Sequence, residues 1–238
     1  MKAIILAGGL GTRLREAVSN TPKPMAPVNG QPFLKHQLDY WINQGINHFV
    51  LSTGYLHDHI SNFFGYNYRN ASIEYSVEDQ PLGTGGGLLL AASKYALNED
   101  FLLLNGDTYF EVDLSKLIEF SEEKNSSITF SLFKTTDKDR FMGVEINPEG
   151  KIAQLKAPRP EDESILANGG IYWIKNEHLL NPDTLKHFPL ASKASLEDEI
   201  FPYLLSKNTS FFGLEFDEQF IDIGVPEDYR KCSEILPQ

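Results

Sequence analysis

With 238 residues, 41% of them hydrophobic and 23% charged, the chain is long enough for one domain with a sizeable core and does not have the composition of a disordered or fibrous protein. Its 33 acidic and 21 basic residues give a net charge of −12, which excludes a general nucleic-acid or anionic-membrane binder because both need a basic face. With one cysteine, Cys232, the chain cannot form an internal disulfide. We also find no targeting segment and no apolar run of membrane length, and together these features predict a cytoplasmic protein.

Short apolar segments alternate with amphipathic segments through the first half of the chain, which predicts βα units. Strands are expected at residues 2–7, 48–53, 72–77 and 101–105, and helices at 31–44, 56–64 and 86–95. In the first of these helices, Leu34, Leu38 and Trp41 recur at helical spacing before Gly45 ends it.

Closely spaced strand candidates replace this alternation beyond residue 124. They lie at 127–134, 142–146, 151–156, 170–174, 210–216 and 220–223. Ser195 and Asp198 have the spacing of a capping box that opens a helix to about residue 206, and Pro226 precedes a last helix. We therefore predict an α/β fold with a Rossmann-like mixed, mainly parallel sheet flanked by helices and a smaller β-rich portion, all in a single domain over residues 1–238.

The first predicted strand runs directly into the sequence GGLGTRL at residues 8–14. Glycines let backbone amides approach a phosphate closely, and the planar fork of Arg13 suits a polyphosphate. The segment fits neither the dinucleotide fingerprint, which needs glycine at Leu14, nor the P-loop, which ends in G-K-[ST]. Residues 1–38 carry five basic side chains and one acidic side chain. Together with Lys23, which Pro22 and Pro24 flank, this local positive charge predicts a bound triphosphate.

Five spaced motifs resemble those of the sugar-1-phosphate nucleotidyltransferases, also called nucleoside-diphosphate-sugar pyrophosphorylases. They are GGLGTRL with TPKPMAPVNGQP, PLGTGGGLLLA, LLLNGDTYF, NGGIYWI and FIDIGVPEDY. The resemblance is closest to the D-glycero-D-manno-heptose 1-phosphate guanylyltransferase branch. It implies that a sugar 1-phosphate oxygen attacks the α-phosphorus of GTP and releases pyrophosphate, yielding a GDP-sugar for capsule, S-layer or other surface polysaccharide. It also implies a nucleotide-binding portion up to about residue 124 and a sugar-binding portion from about 125 to 238.

This resemblance places the nucleotide at the ends of strands in the first half of the chain. The implied nucleotide-binding residues are Leu6, Ala7, Gly8, Gly9, Gly11, Thr12, Arg13, Glu78, Pro81, Gly83 and Asp107. Arg13, Lys23 and Asp107 are expected to be catalytic, the two cations by meeting phosphate charge. Magnesium is expected on Asp107 and Asp222, because each acid lies at or near the end of an apolar strand and magnesium prefers oxygen ligands.

Glu78 is the residue expected to select the base. By the same resemblance, the thymidylyl- and uridylyltransferases of the family have glutamine at this position. A carboxylate only accepts hydrogen bonds, and guanine presents two adjacent donors, so Glu78 favours GTP. Cytosine, with one amine, remains a competitor. The alternative interpretation is a solvated acid, with the base read by backbone groups around Gly83.

The resemblance also implies a sugar-phosphate site formed by residues of the second half. They are Gly143, Lys156, Asn168, Gly169 and Glu197, with Lys156 contacting the phosphate and Asn168 and Glu197 bonding hydroxyls. Leu155 stands where relatives carry glutamate. The contact of that glutamate with the sugar is therefore missing or is supplied by another residue.

Other functions remain open at this point. They include a mannose 1-phosphate guanylyltransferase, a glucose 1-phosphate cytidylyl- or thymidylyltransferase, and a non-catalytic nucleotide or sugar-phosphate sensor. Retention of Arg13 and Lys23 with both Asp107 and Asp222 disfavours the sensor. GTP and a sugar 1-phosphate are the expected partners, with no nucleic acid and no membrane; the oligomeric state is undecided, a homodimer being one option.

Overall fold

The structure is a computed structural model that describes residues 1–9, 21–95, 99–156 and 163–237. Its strands are β1 (Lys2–Leu6), β2 (Pro27–Val28), β3 (Gln31–Pro32), β4 (His48–Thr53), β5 (Asn67–Tyr68), β6 (Ala71–Val77), β7 (Phe101–Asn105), β8 (Thr108–Phe110), β9 (Ile128–Thr135), β10 (Gly143–Ile146), β11 (Ile152–Lys156), β12 (Ile165–Ile174), β13 (Phe211–Glu215) and β14 (Phe220–Asp222). Its helices are α1 (Phe33–Asn43), α2 (His57–Phe64), α3 (Gly83–Lys94), α4 (Leu114–Glu123), α5 (Asn176–Leu179), α6 (Pro182–His187), α7 (Phe201–Ser206) and α8 (Pro226–Ile235). A 3₁₀ turn spans Lys23–Met25 and a π-helical turn spans Leu196–Ile200.

Four parallel strands form the centre of the main sheet in the order β7, β1, β4, β6. β1, β4 and β7 are largely apolar and buried, as is usual where helices cover both faces of a parallel sheet, whereas β6 alternates apolar and polar residues. On one face, Leu38 and Trp41 of α1 belong to an apolar cluster that includes Leu104. On the other face, Leu88 and Leu89 of α3 belong to a second cluster. The carboxyl ends of these strands therefore lie together at one uncovered edge.

Antiparallel strands extend this sheet from β7. Strand β12 pairs antiparallel with β7, β9 and β10, and β13 runs parallel to β9. The predicted α/β fold with a mixed, mainly parallel central sheet flanked by helices is thus confirmed, and the β-rich second half lies on the β7 side. No helix among the described ranges is long and apolar enough to cross a membrane.

Three predicted helices have different bounds in the structure, and proline and packing explain the differences. The helix expected from residue 31 begins at Phe33, because Pro32 has extended backbone (φ −58°, ψ 141°) and Gln31–Pro32 pairs as β3. The helix expected from residue 86 begins three residues earlier, at Gly83. The helix expected over 195–206 is divided into the π-helical turn and α7, with Pro202, which lacks an N–H, in the first turn of α7. Helix α4 was not among the predicted elements.

Candidate active site at the carboxyl ends of the parallel strands

A cleft of about 280 Å³ opens where β1, β4, β6 and β7 end. This is the edge at which open α/β sheets bind their ligands. Its walls are formed by Leu6, Ala7, Gly8, Gly9, Lys23, Pro24, Ser52, Glu78, Pro81, Gly83, Thr84, Asn105, Gly106 and Asp107. Every described residue of the predicted nucleotide site lines this cleft, together with Lys23. Gly11, Thr12 and Arg13 lie outside the described residues.

Glu78 is half-buried in the cleft wall directly after β6. Its Oε2 accepts a hydrogen bond from the Leu82 backbone N–H at 2.8 Å, and its Oε1 accepts one from the Ser52 hydroxyl at 3.2 Å. Burial raises the pKa of this carboxyl, and the two donors oppose that rise. A Cβ placed on Gly8 would lie 2.8 Å from Oε1, so glycine is needed there for the carboxylate to fit. The carboxylate is therefore held in one orientation, with acceptor capacity left on both oxygens.

Asp107 and Asp222 meet although 115 positions separate them in the sequence. Asp107 follows β7, and the short antiparallel pair of β8 and β14 sets Asp222 opposite Thr108. The Ile223 backbone N–H donates to the Asp107 carbonyl at 2.9 Å, which fixes the two turns together. The predicted pair of acids is thus brought to one place at the mouth of the cleft.

Lys23 lies between these two carboxylates. Its Nζ donates to Asp107 Oδ2 and stands 3.8 Å from Asp222 Oδ1. Burial and the neighbouring Asp107 charge raise the pKa of Asp222, and Lys23 opposes that rise. The predicted catalytic lysine and the two predicted metal carboxylates therefore form one cluster.

This cluster fits a divalent metal that takes few ligands from the protein. Asp107 and Asp222 supply hard oxygen donors and repel one another, and a divalent cation would relieve that repulsion. Within the described part of the chain, no group of three or more His, Cys, Asp or Glu side chains could hold a metal. A metal held here would complete its shell with water and phosphate oxygens, as magnesium usually does.

The predicted sugar side comes from three neighbouring strands beside the cleft. Gly143 of β10 pairs with Lys156 of β11 and with Ala167 of β12, and the Asn168 N–H donates to the Met142 carbonyl at 3.0 Å. The backbones of Gly143, Lys156, Asn168 and Gly169 are therefore close together. Glycine at 169 also has a packing reason, because a Cβ there would lie 2.7 Å from the Phe110 ring.

An irregularity in β12 orients Asn168. The pairing register with β9 shifts between Asn168 and Tyr172, where Gly170 has φ +71°. Asn168 Nδ2 donates to the buried Tyr172 hydroxyl at 2.7 Å, and its Oδ1 accepts from the Gly170 N–H at 3.0 Å. A Cβ on Gly170 would lie 2.8 Å from the Asn105 side chain, which lines the cleft. The sugar strand thus touches the nucleotide cleft at Asn105.

Glu197 reaches the site from the π-helical turn. Its Oε2 accepts from the Thr84 hydroxyl at 2.8 Å. Burial raises its pKa, the Thr84 hydroxyl opposes that rise, and the charges of Asp198 and Asp107 add to it. The described residues of the predicted nucleotide group thus line one cleft, whereas the predicted sugar residues do not line it. The sugar group meets the cleft lining at two points, Gly170 against Asn105 and Glu197 against Thr84.

A model of the Nucleotidyl transferase family matches residues 2–238. The chain belongs to this family. It is 40% identical to a D-glycero-alpha-D-manno-heptose 1-phosphate guanylyltransferase of Aneurinibacillus thermoaerophilus, over 99% of this chain and 98% of that protein. It is 38% identical to a protein of the same name from Campylobacter jejuni, over 96% and 97%. The crystal structure of HddC from Yersinia pseudotuberculosis complexed with GMP-PN superposes with a TM-score of 0.81, at 32% identity and 98% coverage of both chains. The protein is a nucleotidyltransferase, as the motifs predicted.

Two residues of this nucleotidyltransferase were missed by the sequence analysis although they hold Asp222 and the turn of Asp107 in place. Arg140, in the segment between β9 and β10, donates from Nη2 to the Asp222 carbonyl at 2.8 Å and lies 3.4 Å from Asp222 Oδ2. Its Nη1 donates to Asp228 in the first turn of α8. Desolvation opposes the charge of Arg140, but the two carboxylates raise its pKa overall. No local pattern distinguishes Arg140 from its neighbours in the sequence.

Gln37 is the second missed residue. It is buried on α1, and its Nε2 donates to the Asn105 carbonyl at 2.9 Å and to the Thr108 carbonyl. These bonds hold the turn that carries Asp107. A signal for Gln37 was available, since it is a polar residue on the apolar stripe defined by Leu34, Leu38 and Trp41.

Proposed function

We propose that the protein transfers a guanylyl group from GTP to D-glycero-α-D-manno-heptose 1-phosphate, releasing pyrophosphate and forming a GDP-heptose for surface polysaccharide synthesis. The observation that carries this proposal is the match, over nearly the full length of both chains, to two relatives that bear this activity as their name. The proposal divides the single domain into a nucleotide-binding portion up to about residue 124 and a sugar-binding portion beyond it. The single cysteine supports a cytoplasmic location.

The proposed chemistry is a single in-line displacement. A phosphate oxygen of the sugar 1-phosphate forms a bond to the α-phosphorus of GTP, while the bond from that phosphorus to the oxygen shared with the β-phosphate breaks. The leaving pyrophosphate takes the electron pair. Since no covalent enzyme intermediate is needed, the protein contributes positioning and charge stabilisation.

Three groups supply that charge stabilisation. Lys23, at the cleft wall, meets the α-phosphate or the leaving group, and Arg13 is proposed to clamp the triphosphate. Asp107 and Asp222 would hold magnesium, which would supply positive charge to the phosphate oxygens. Arg140 keeps Asp222 in place from outside the cleft.

Glu78 is proposed to select guanine. Its two oxygens keep acceptor capacity beyond their bonds to Ser52 and Leu82, and guanine offers two adjacent donors, its ring N–H and exocyclic amine. Pro81 and Gly83 line the same wall and would contact the base. A glutamine at position 78 would place a donor against one of the guanine donors.

The sugar 1-phosphate is proposed to bind along β10, β11 and β12. Gly143 is proposed to leave room for the ring, and Gly169, whose Cβ side faces Phe110, to approach the ring through its backbone. Asn168 and Glu197 bond to its hydroxyls, and Lys156 meets the phosphate. Since the resemblance implies glutamate where Leu155 stands, we propose that Glu197 supplies the carboxylate that bonds to a sugar hydroxyl.

A matrix of substrates tests the proposal. Pyrophosphate release is measured with magnesium for GTP, CTP, UTP and dTTP against heptose, mannose and glucose 1-phosphates. We expect the highest kcat/KM for GTP with D-glycero-α-D-manno-heptose 1-phosphate. A higher value for CTP or dTTP than for GTP would overturn the assignment of the base. A higher value for mannose 1-phosphate with GTP would overturn only the assignment of the sugar. No pyrophosphate release with any pair would favour the sensor.

A further inference from the structure

Thr84 joins the two sides of the cleft through its hydroxyl. It is the second residue of α3, next to Gly83, and it lines the cleft. Its Oγ1 donates to Glu197 Oε2 at 2.8 Å and accepts the Leu196 backbone N–H at 2.8 Å. One hydroxyl on the nucleotide side therefore fixes both the carboxylate and the backbone of the turn that carries Glu197.

The turn itself is docked on the first residues of α3. The Gly85 and Gly86 N–H groups donate to the Ala194 carbonyl at 2.9 and 3.2 Å, and the Ala194 N–H donates to the Leu82 carbonyl at 2.9 Å. A Cβ on Gly83 would lie 2.6 Å from that Ala194 oxygen, so this close approach needs glycine. These bonds fix where the turn lies, but none of them reaches the Glu197 side chain.

Within the turn, only the backbone N–H of Glu197 itself bonds to the Glu197 carboxylate among the described residues, and Thr84 supplies the bond from outside the turn. Ser195 caps the turn by accepting from the Asp198 N–H at 3.1 Å, and its own N–H donates to Glu199 Oε2 at 2.7 Å. The Ile200 N–H donates to the Ser195 carbonyl at 3.1 Å, five residues back, which makes the turn π-helical. Asp198 and Glu199 are thus engaged in capping, whereas Glu197 points to Thr84.

We propose that Thr84 is a positioning residue for the sugar 1-phosphate: its hydroxyl aims the Glu197 carboxylate at the sugar. The same hydroxyl connects that carboxylate to α3, which begins at Gly83 in the cleft wall. This inference rests on the proposed function for the identity of the sugar phosphate. In this proposal Thr84 acts through Glu197 and not by a contact of its own with the reacting phosphates. Its loss is therefore expected to weaken the use of the sugar phosphate and to leave GTP binding intact.

The test compares Thr84→Val, which keeps the shape but removes both hydrogen bonds, with Thr84→Ser, which keeps the hydroxyl. For Thr84→Val we expect kcat/KM for the sugar 1-phosphate to fall about tenfold, mostly through KM, since one hydrogen bond to a charged group is lost. KM for GTP is expected to stay within about twofold, and Thr84→Ser is expected to restore wild-type values.

A double-mutant cycle shows whether Thr84 acts through Glu197. In a Glu197→Gln background, Thr84→Val is expected to cost less than about twofold further. The matched control is Ser52→Ala, which removes the hydroxyl that holds Glu78 on the nucleotide side. It is expected to give the opposite pattern, a raised KM for GTP and an unchanged KM for the sugar phosphate.

The kinetics use whichever substrate pair the wild-type enzyme turns over fastest in the matrix above, so an error in the proposed sugar shows there and leaves the Thr84 test intact. Equal losses for both substrates, failure of Thr84→Ser to restore activity, or full additivity with Glu197→Gln would overturn the inference. If Thr84→Val does not fold, Thr84→Ala carries the same expectation without the risk of a clash.

Discussion

The cleft and the proposed sugar side next to it are built by different means. The proposed nucleotide wall, the lining of the cleft, includes residues that directly follow parallel strands: Gly8 after β1, Glu78 after β6 and Asp107 after β7. The proposed sugar side consists of antiparallel strands and a docked turn, and contacts between distant side chains or across a strand irregularity hold its polar groups, as Tyr172 holds Asn168 and Thr84 holds Glu197. We therefore expect substitutions on the nucleotide wall to remove a function outright and those on the sugar side to act through neighbours.

The largest effect is expected for Asp107→Asn. It removes one negative charge from the proposed metal site of Asp107 and Asp222 and leaves the core contacts of β7 intact. We expect kcat to fall by about 10³-fold or more, with an unchanged melting temperature. Asp58→Asn, an exposed acid on α2, is the control and should retain full activity. A variant at position 107 with more than a tenth of wild-type kcat at saturating magnesium would remove Asp107 from the proposed metal site.

Lys23→Ala comes next. If Lys23 meets charge that grows in the transition state, its loss should lower kcat by about 10²–10³-fold, and GTP affinity measured by calorimetry should change much less. Lys35→Ala is the matched control, because Lys35 forms an i,i+4 pair with Asp39 on α1 and lies outside the described cleft lining. Equal losses in GTP affinity and in kcat/KM would mean that Lys23 binds the ground state.

The sequence was sufficient to group the described residues of the predicted nucleotide site, because several of them, such as Gly8, Glu78 and Asp107, follow strands that can be recognised locally. Their binding roles stay a prediction, and so do those of the sugar side, whose contacts the sequence did not indicate. Thr84 and Glu197 lie 113 positions apart, and Arg140 and Asp222 lie 82 apart, so no local pattern shows that they meet. The π-helical turn also escaped prediction, since the Ser195–Asp198 spacing indicates an ordinary helix start. Only the fold brings these pairs together.

Glu78→Gln tests whether the nucleotide wall selects the base. The amide turns one of two acceptors into a donor that would face a guanine N–H. We expect a ten- to thousand-fold fall in the preference for GTP over UTP or dTTP, measured as a ratio of kcat/KM values, with magnesium dependence unchanged. Retention of the full GTP preference would mean that backbone groups near Gly83 read the base and that Glu78 serves to hold its loop through Leu82.

The smallest effect is expected for Arg140→Lys, which keeps the charge but loses the fork that spans Asp222 and Asp228. A residue that hydrogen-bonds to a metal ligand typically contributes 10- to 100-fold to metal affinity or activity. Because Arg140→Lys keeps the charge, we expect a loss of metal affinity near the lower limit, about tenfold. Manganese affinity of the enzyme–GTP complex, followed by electron paramagnetic resonance, should weaken by that factor, whereas Lys231→Ala, an exposed neighbour of Asp228, should leave it unchanged. Unchanged manganese affinity in Arg140→Lys would assign Arg140 to packing of α8.

The most direct test of the account follows the phosphorus atoms of GTP by ³¹P NMR as the wild-type enzyme reacts with D-glycero-α-D-manno-heptose 1-phosphate and magnesium. The account predicts that the α-phosphorus passes into a sugar pyrophosphate diester while the β- and γ-phosphorus atoms leave together as pyrophosphate, in equal amounts. Release of inorganic phosphate with formation of GDP, or pyrophosphate without a nucleotide sugar, would contradict it.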